Sequence, residues 1–364
     1  MILCANPSAQ FKSYKTEIEE AVLKVIRGNY FVLGEEVSLL EEEFADYIGT
    51  TSAIGVANGT DAIELALRAL DIGLGDEVIT VSHTAVATIA AIEATGAKAK
   101  LVDVEPEYYT LEPTQLKDAF SKKTKAVIAV HLYGQSVNLE AIQSFCIANK
   151  VFLIEDVSQA HGAKYKGKRL GSFGDISCFS CYPTKNLGAI GDAGLVTTNN
   201  TSLGKKVRML REYGWNNRIS ELPGRNSRLD EIQAAILRVK LKYLDSDNEK
   251  RRQLATYYLS NLNNYPITLP NIRASVEPVF HLFVIQVERR QNLLDHLLNN
   301  GIQAGIHYPL PVHSHPAYKG RLSIARNMSV TEDLTDKIIS LPMYPELSFQ
   351  DADIVINAIK SFFK

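Results

Sequence analysis

Lys185 is the residue whose setting most invites chemistry. It lies in Asp175–Thr198, DISCFSCYPTKNLGAIGDAGLVTT, where two short apolar runs, Ile176 to Tyr182 and Ala193 to Val196, read as strands. The turn between them is rich in Pro, Thr, Asn and Gly, with Ser180 before the lysine and Gly188, Gly191 and Gly194 after it. A lysine held on a rigid connection among apolar neighbours gives up its proton more readily than a solvated one, which is the condition for attacking a carbonyl. One more surface lysine is the plain alternative, so the residue needs partners. Asp156 ends the apolar strand VFLIED, where a carboxylate is costly unless it is paired or caps the next helix. Asn58-Gly59-Thr60-Asp61 follows the short strand SAIGVA and opens a helix. Such a turn offers free backbone N–H groups and the positive end of a helix dipole to a phosphate, although a simple capped helix start would look the same.

The elements that must position these residues alternate. After an amphipathic helix over Val37 to Tyr47, short apolar strands at SAIGVA, DEVITVSH, AKAKLVDVE, KAVIAVHLYGQ, VFLIEDV, DISCFSCY and AGLVTT are separated by helical stretches. Continuous apolar strands between helices predict an α/β fold with a mostly parallel sheet covered on both faces. Ligands of such sheets gather at the carboxyl ends of the strands, which places Gly59, Thr60, His83, His131, Asp156, Gln159, Ser180 and Lys185 at one edge. SRLDEIQAAILRVKLKYLD reads as one long half-buried helix. Beyond it VFHLFVIQV predicts a strand, QNLLDHLLNNG a helix, IQAGIHYPLPVH a strand running into a proline turn, and Asp351 to Phe363 a closing helix. The expected division is an N-terminal segment over 1–30 packing with the small domain, a large domain over 31–244 and a smaller α+β domain over 245–364.

Composition narrows the class. A net charge of −2 supplies no basic field for nucleic acid and no patch for a membrane surface. The longest apolar runs fall far short of a bilayer span, and MILCANPSAQ lacks a signal-peptide layout, so the cytoplasm is the expected compartment. Cys178 and Cys181 form a C-x-x-C without a second ligand pair, and they fall within a strand, not at a helix start. Metal binding and thioredoxin-type redox chemistry are therefore not expected, and both read as reduced structural cysteines. His131 reads as a satisfied strand-end histidine and His161 as a support for Asp156. What remains is a lysine, a strand-end carboxylate and a phosphate cradle. Pyridoxal phosphate needs that set: a lysine for the Schiff base, a carboxylate at the pyridinium nitrogen and a seat for the phosphate.

VANGTDAIELAL, EDVSQAHGA, CFSCYPTKNLGAIGDAG, GRNSRLDEIQAAIL and GIQAGIHYPLPVH together resemble the DegT/DnrJ/StrS family of sugar-nucleotide aminotransferases, from near Gln10 to near Lys360. The resemblance implies the fold-type I pyridoxal phosphate architecture, with Lys185 as the Schiff-base lysine and the base that moves the substrate proton. It implies that Asp156 pairs with the ring nitrogen, that Gln159 bonds the ring hydroxyl, and that Gly59, Thr60 and Ser180 hold the phosphate. Asn226 stands where the family's neighbouring subunit reaches the phosphate, which implies a homodimer with shared sites. Tyr182, His307, Tyr308 and His313 fall in the substrate-facing region. Two features depart from the pattern. SHTAVAT has Ala85 where many relatives carry an aromatic that stacks on the ring, which leaves His83 to cover it. Asn226-Ser227-Arg228-Leu229 replaces the frequent N-Y-R-M. SHTAVAT, NSRLDE and HYPLPVH resemble the branch that aminates C3 of nucleotide-linked 3-keto-6-deoxyhexoses, with L-glutamate as donor and dTDP as the nucleotide implied. C4 amination is the alternative within the family. A dehydratase would replace the lysine by histidine, a nicotinamide oxidoreductase would need a G-x-G-x-x-G that GVANGTDA does not supply, and retention of Lys185, Asp156 and Gln159 argues against a purely regulatory member.

Overall fold

A computed structural model describes residues 1–364. Its centre is an eight-stranded sheet built from β1 (Ser52–Val56), β2 (Glu77–Val81), β3 (Lys98–Val102), β4 (Thr124–Val130), β5 (Phe152–Asp156), β6 (Ile176–Ser180), β7 (Gly194–Thr198) and, from far along the chain, β9 (Ser323–Ile324). The spatial order is β1-β7-β6-β5-β4-β2-β3-β9. Only β7 runs against its neighbours, pairing antiparallel with β1 and β6, whereas β6, β5, β4, β2, β3 and β9 are mutually parallel. The expected mixed, mostly parallel sheet is therefore present. Strands β1, β2, β4, β5, β6 and β7 are buried almost throughout, which is why they read as unbroken apolar runs and not as alternating ones.

Parallel registry carries the carboxyl ends of β1, β2, β4, β5 and β6 to one edge, and β7 starts there. Gly194 at its first position pairs with both Val56 and Ser180. A Cβ on Gly194 would stand 2.4 Å from the Asn58 carbonyl oxygen, so only glycine allows the β1 exit to lie this close. The helix Gly59–Ala69 that leaves β1 packs on β6 and β7 and buries nearly every residue. Asn58 starts it: its side chain accepts the Asp61 N–H at 2.8 Å and its carbonyl takes that of Ala62.

The helix Glu35–Ile48 buries Val37, Leu40 and Phe44 as the spacing predicts, with Tyr47 only half-buried and Ile48 buried instead, but its N-terminus is capped from a distance. The Glu231 carboxylate accepts the N–H groups of Gly34 at 2.7 Å, Glu36 at 2.9 Å and Val37 at 3.0 Å. The single helix expected over 227–245 is two: Glu231–Leu241, a break at Lys242–Tyr243, and Leu244–Leu262. The second buries Asp247, Asn248 and Arg251 among its apolar residues, which erases the hydrophobic period that marks a helix in sequence.

A second, smaller apolar cluster joins the helices Leu244–Leu262, Arg290–Asn299 and Phe349–Phe362 to the antiparallel pair β8 (Phe283–Gln286) and β10 (Ile338–Leu341). The strand expected in IQAGIHYPLPVH is absent; that stretch touches a sheet only where Gly305 bridges Ser340. The N-terminal stretch reaches the smaller cluster at Ile2, which bridges Ile302, and forms a third cluster where Ile18 packs against Ile236 and Val239. No helix is long and apolar enough to cross a membrane.

Candidate active site

A cavity of about 530 Å³ opens at the strand ends, lined among others by Gly59, Thr60, Asp156, Gln159, Ser180 and Lys185. Six candidates from three separate stretches of chain thus share one cavity. Of the four N–H groups that open the helix Gly59–Ala69, Asn58 takes those of Asp61 and Ala62, which leaves Gly59 and Thr60 facing an incoming anion. Ser180 stands directly opposite, and a Cβ on Gly59 would lie 2.5 Å from the Ser180 Cβ. The turn needs glycine because the hydroxyl-bearing strand approaches so closely.

Asp156 is buried and held at both oxygens. Thr88 donates its hydroxyl to Oδ2 at 3.3 Å, and the Ser158 N–H reaches Oδ1 at 3.1 Å. Lys185 flanks the cavity from the loop after β6, where its N–H bonds to the Tyr182 carbonyl and Ala189 closes back on Cys181. Its side chain is half-buried on the cavity wall. Burial pushes the amine down to about 8, against the pull of the Asp156 carboxylate in the other direction. It is the only cationic side chain on the cavity wall, beside the carboxylates of Asp61, Asp156 and Asp192.

These residues fit pyridoxal phosphate on the geometry alone. A helix start with two free N–H groups and a hydroxyl suits the phosphate. A fixed buried carboxylate suits the ring nitrogen, and a lysine eased toward its neutral form suits the carbonyl. Gln159 presents a donor for the ring hydroxyl. The Tyr133 N–H donates to its Oε1 at 2.8 Å, so its NH₂ faces outward and reaches the Tyr308 hydroxyl at 3.0 Å.

Of the other candidates only Tyr182 lines the cavity. His83 does not cover the cavity: its ring is buried beyond the end of β2, with Nε2 2.7 Å from the Tyr133 hydroxyl, and the methyl groups of Ala85 and Ala87 line the wall instead. Asn226 is exposed and outside the cavity of its own chain, next to Ser227, whose hydroxyl accepts the Ala57 N–H just before the turn at Asn58–Gly59. Tyr182 lines the mouth, 53% exposed. His307 is tied through Nδ1 to the Ser340 hydroxyl at 2.8 Å, and burial pushes it down to about 4. His313 is held by the Ser82 hydroxyl at 2.7 Å and by Glu332, away from the cavity wall.

His131 is satisfied structurally. Its Nδ1 accepts the Val137 N–H and its Nε2 donates to Glu155, a carboxylate that also gathers the N–H groups of Gly171, Phe173 and Gly174. His161 gives Asp156 no hydrogen bond: its ring lies against Phe179, and neither nitrogen has a partner. Cys178 and Cys181 are buried and unbridged. The residues that sequence reasoning passed over are Thr88 and Tyr133. Thr88 reads as an ordinary helix position, and the only trace of Tyr133 is the glycine that follows it.

Known proteins resemble this chain along nearly its whole length. The DegT/DnrJ/EryC1/StrS aminotransferase family matches residues 12–360. A dTDP-3-amino-3,4,6-trideoxy-alpha-D-glucose transaminase of Streptomyces venezuelae is 41% identical over 356 residues, covering 97% of this chain and 94% of its own. A dTDP-3-amino-3,6-dideoxy-alpha-D-galactopyranose transaminase of Aneurinibacillus thermoaerophilus is 43% identical over 350 residues, 96% of each chain. Among solved structures, S. venezuelae DesV in complex with a ketimine intermediate superposes with a TM-score of 0.97 at 40% identity, covering 100% of this chain and 98% of its own.

Proposed function

This chain belongs to the DegT/DnrJ/EryC1/StrS aminotransferase family of pyridoxal phosphate enzymes, and on that premise we propose that it transfers the amino group of L-glutamate to C3 of a dTDP-linked 3-keto-6-deoxyhexose. The observation that carries the reading is the Lys185 amine, pushed down to about 8 in the cavity that also holds Asp156 and the free helix start at Gly59. The choice of sugar is supported by two relatives, both transaminases of dTDP-3-amino-deoxyhexoses.

In this reading Gly59, Thr60 and Ser180 hold the phosphate, Asp156 faces the ring nitrogen, Gln159 the ring hydroxyl, and Lys185 the carbonyl carbon. Pyridoxal phosphate supplies, when bound, an electron sink for the carbon that carries the transferred nitrogen. Lys185 does the proton work. With its amine near 8, roughly a tenth is neutral at pH 7, against well under a hundredth for a solvated lysine, so one side chain serves as nucleophile and then as base. Asp156 keeps its orientation through Thr88 and Ser158, so a positive charge opposite it meets a fixed carboxylate and not a mobile one. Tyr182, His307 and Tyr308 take the sugar nucleotide, with His313, held by Ser82 and Glu332 outside the cavity wall, at the far end of the same segment. Residues 31–244 carry the cofactor and 245–364 close over it.

The site also asks for a second copy of the chain. A bound phosphate and a sugar diphosphate would meet one lysine and three carboxylates on the cavity wall. Further donors must come from outside, and the exposed Asn226 is the one assigned to reach the partner's phosphate. Tyr30, Phe31 and Val32, exposed at 75%, 57% and 47%, give such a partner an apolar surface to cover. Mixing inactive Lys185→Ala and Asn226→Ala chains should restore about a quarter of the activity, since about half the dimers are mixed and each of those owns one intact site.

Borohydride reduction of the holoenzyme followed by peptide mapping should place the pyridoxyl group on Lys185, and an adduct elsewhere refutes the assignment. Incubation with glutamate and a dTDP-3-keto-6-deoxyhexose should give an amine at C3. Exclusive turnover of a 4-keto isomer would move the reaction to C4.

A further inference from the structure

Tyr133 sits at the crossing of three segments that are distant in sequence. Its N–H fixes the Gln159 amide, as described above. Its hydroxyl donates to the His307 carbonyl, next to the Tyr308 whose own hydroxyl accepts from Gln159. Its carbonyl takes the Leu282 N–H, and the following Gly134 carbonyl takes that of Val279. The residue is buried and its backbone is left-handed, φ +61°. A bulky side chain keeps that conformation only where the surroundings over-determine it.

The hydrogen bonds also fix the His83 tautomer. A carbonyl can only accept, so the single Tyr133 hydroxyl proton belongs to His307. His83 Nε2, 2.7 Å away, must then donate, which leaves its buried Nδ1 bare and without a partner. Burial pushes His83 down to about 4, so the ring stays neutral and this arrangement persists over the working range of pH.

We propose that Tyr133 is a positioning residue: its buried phenol, braced by His83, latches the His307–Tyr308 segment against Gln159 and so sets where the sugar-facing side chains stand. The proposal rests on the transaminase reading for its kinetic effect, but the latch itself is a matter of structure. Tyr133→Phe keeps the ring and the N–H to Gln159 and removes only the hydroxyl. In the holoenzyme the KM for the sugar nucleotide should rise about tenfold, while the glutamate half-reaction and the affinity for pyridoxal phosphate stay within about twofold, the size expected for losing one buried hydrogen bond that acts on one substrate. Amide exchange over 305–313 should accelerate, with the sheet protected as before.

An equal loss in both half-reactions would make the hydroxyl merely structural and overturn the latch. Unchanged KM with unchanged exchange would do the same. If Tyr133→Phe fails to fold, the comparison moves to His83. His83→Leu should reproduce the KM rise, and His83→Gln, which offers a donor at a similar reach, should recover most of it. Identical behaviour of these two variants overturns the brace. If the wild-type protein turned over no 3-keto sugar nucleotide, the proposed substrate would fall while the exchange over 305–313 would still decide the latch.

Discussion

Replacing Lys185 by methionine should stabilise the cofactor-free protein at neutral pH while abolishing transamination. Burial is the leading cause of the lysine's depressed value, about 8 against 10.5 for an ordinary lysine. Protons therefore bind the unfolded chain more tightly than the folded one, and the stability contributed by this group rises with pH between those two values. At pH 7 the difference of about 2.5 units costs the folded state about 3 kcal/mol, and at pH 10.5 only about 0.4 kcal/mol remains. The side chain partly faces the cavity, where water screens the charge, so about 2 kcal/mol is the better expectation. Methionine has a similar length and no charge, which limits the packing penalty. For 364 residues, an unfolding entropy of about 2.1 cal/mol/K per residue turns about 2 kcal/mol into a rise in Tm of about 2–3 °C. The assay is thermal unfolding of both stripped proteins at equal concentration, at pH 7 and pH 10. Stripping is essential because bound cofactor would stabilise the wild type alone. A methionine variant less stable than wild type at pH 7, or a gain that persists undiminished at pH 10, would refute the claim that Lys185 is a strained buried amine.

Two further substitutions probe the cradle and its scaffold. Gly59→Ala places a methyl group 2.5 Å from the Ser180 Cβ and should weaken pyridoxal phosphate binding at least about tenfold in an absorbance titration; affinity within about twofold of wild type would remove the phosphate from this turn. Glu231→Gln puts an NH₂ where three backbone N–H groups now meet a carboxylate, and should cost about 2 kcal/mol, read as a fall in Tm of about 2–3 °C; an unchanged Tm would show that Gly34–Val37 can be capped otherwise.

The strands and the main site were legible for one physical reason. A buried parallel sheet makes its strands uniformly apolar, and its topology sends their carboxyl ends to one edge, so Gly59, Asp156, Ser180 and Lys185 could be gathered without a structure. The helix Leu244–Leu262 was hidden because its buried face is polar: Asn248 bonds to Asn186 beside the lysine, and Arg251 spans the carbonyls of Phe280 and Met343. A polar face that is satisfied by distant backbone leaves no period in the sequence. The same cause concealed the cap on Glu35–Ile48, whose acceptor lies some two hundred residues away.

His83 was misplaced for a more specific reason. The two-residue alternation of β2 ends at Val81, and past a strand end nothing in the sequence says which way a side chain turns. Ser82 turns to His313 and His83 to Tyr133. An imidazole next to an alanine that replaces a stacking aromatic looked like a substitute for it, yet the two positions serve different walls. The small residues Ala85 and Ala87 line the cavity face that an aromatic would fill, while His83 braces the segment opposite. The latch joins residues 174 positions apart in the chain through one hydroxyl and one carbonyl, and a backbone carbonyl has no residue type by which to recognise it. A local sign did exist: a tyrosine directly before Gly134, whose φ of +96° and tight approach to Phe280 and His281 exclude any other residue there. A glycine demanded by close approach marks the place where another segment crosses. Gly59 beside Ser180, Gly194 beside Asn58 and Gly134 beside His281 are three such crossings; the first two border the cavity at the strand ends, and the third seats Tyr133 against the chain at Val279–His281.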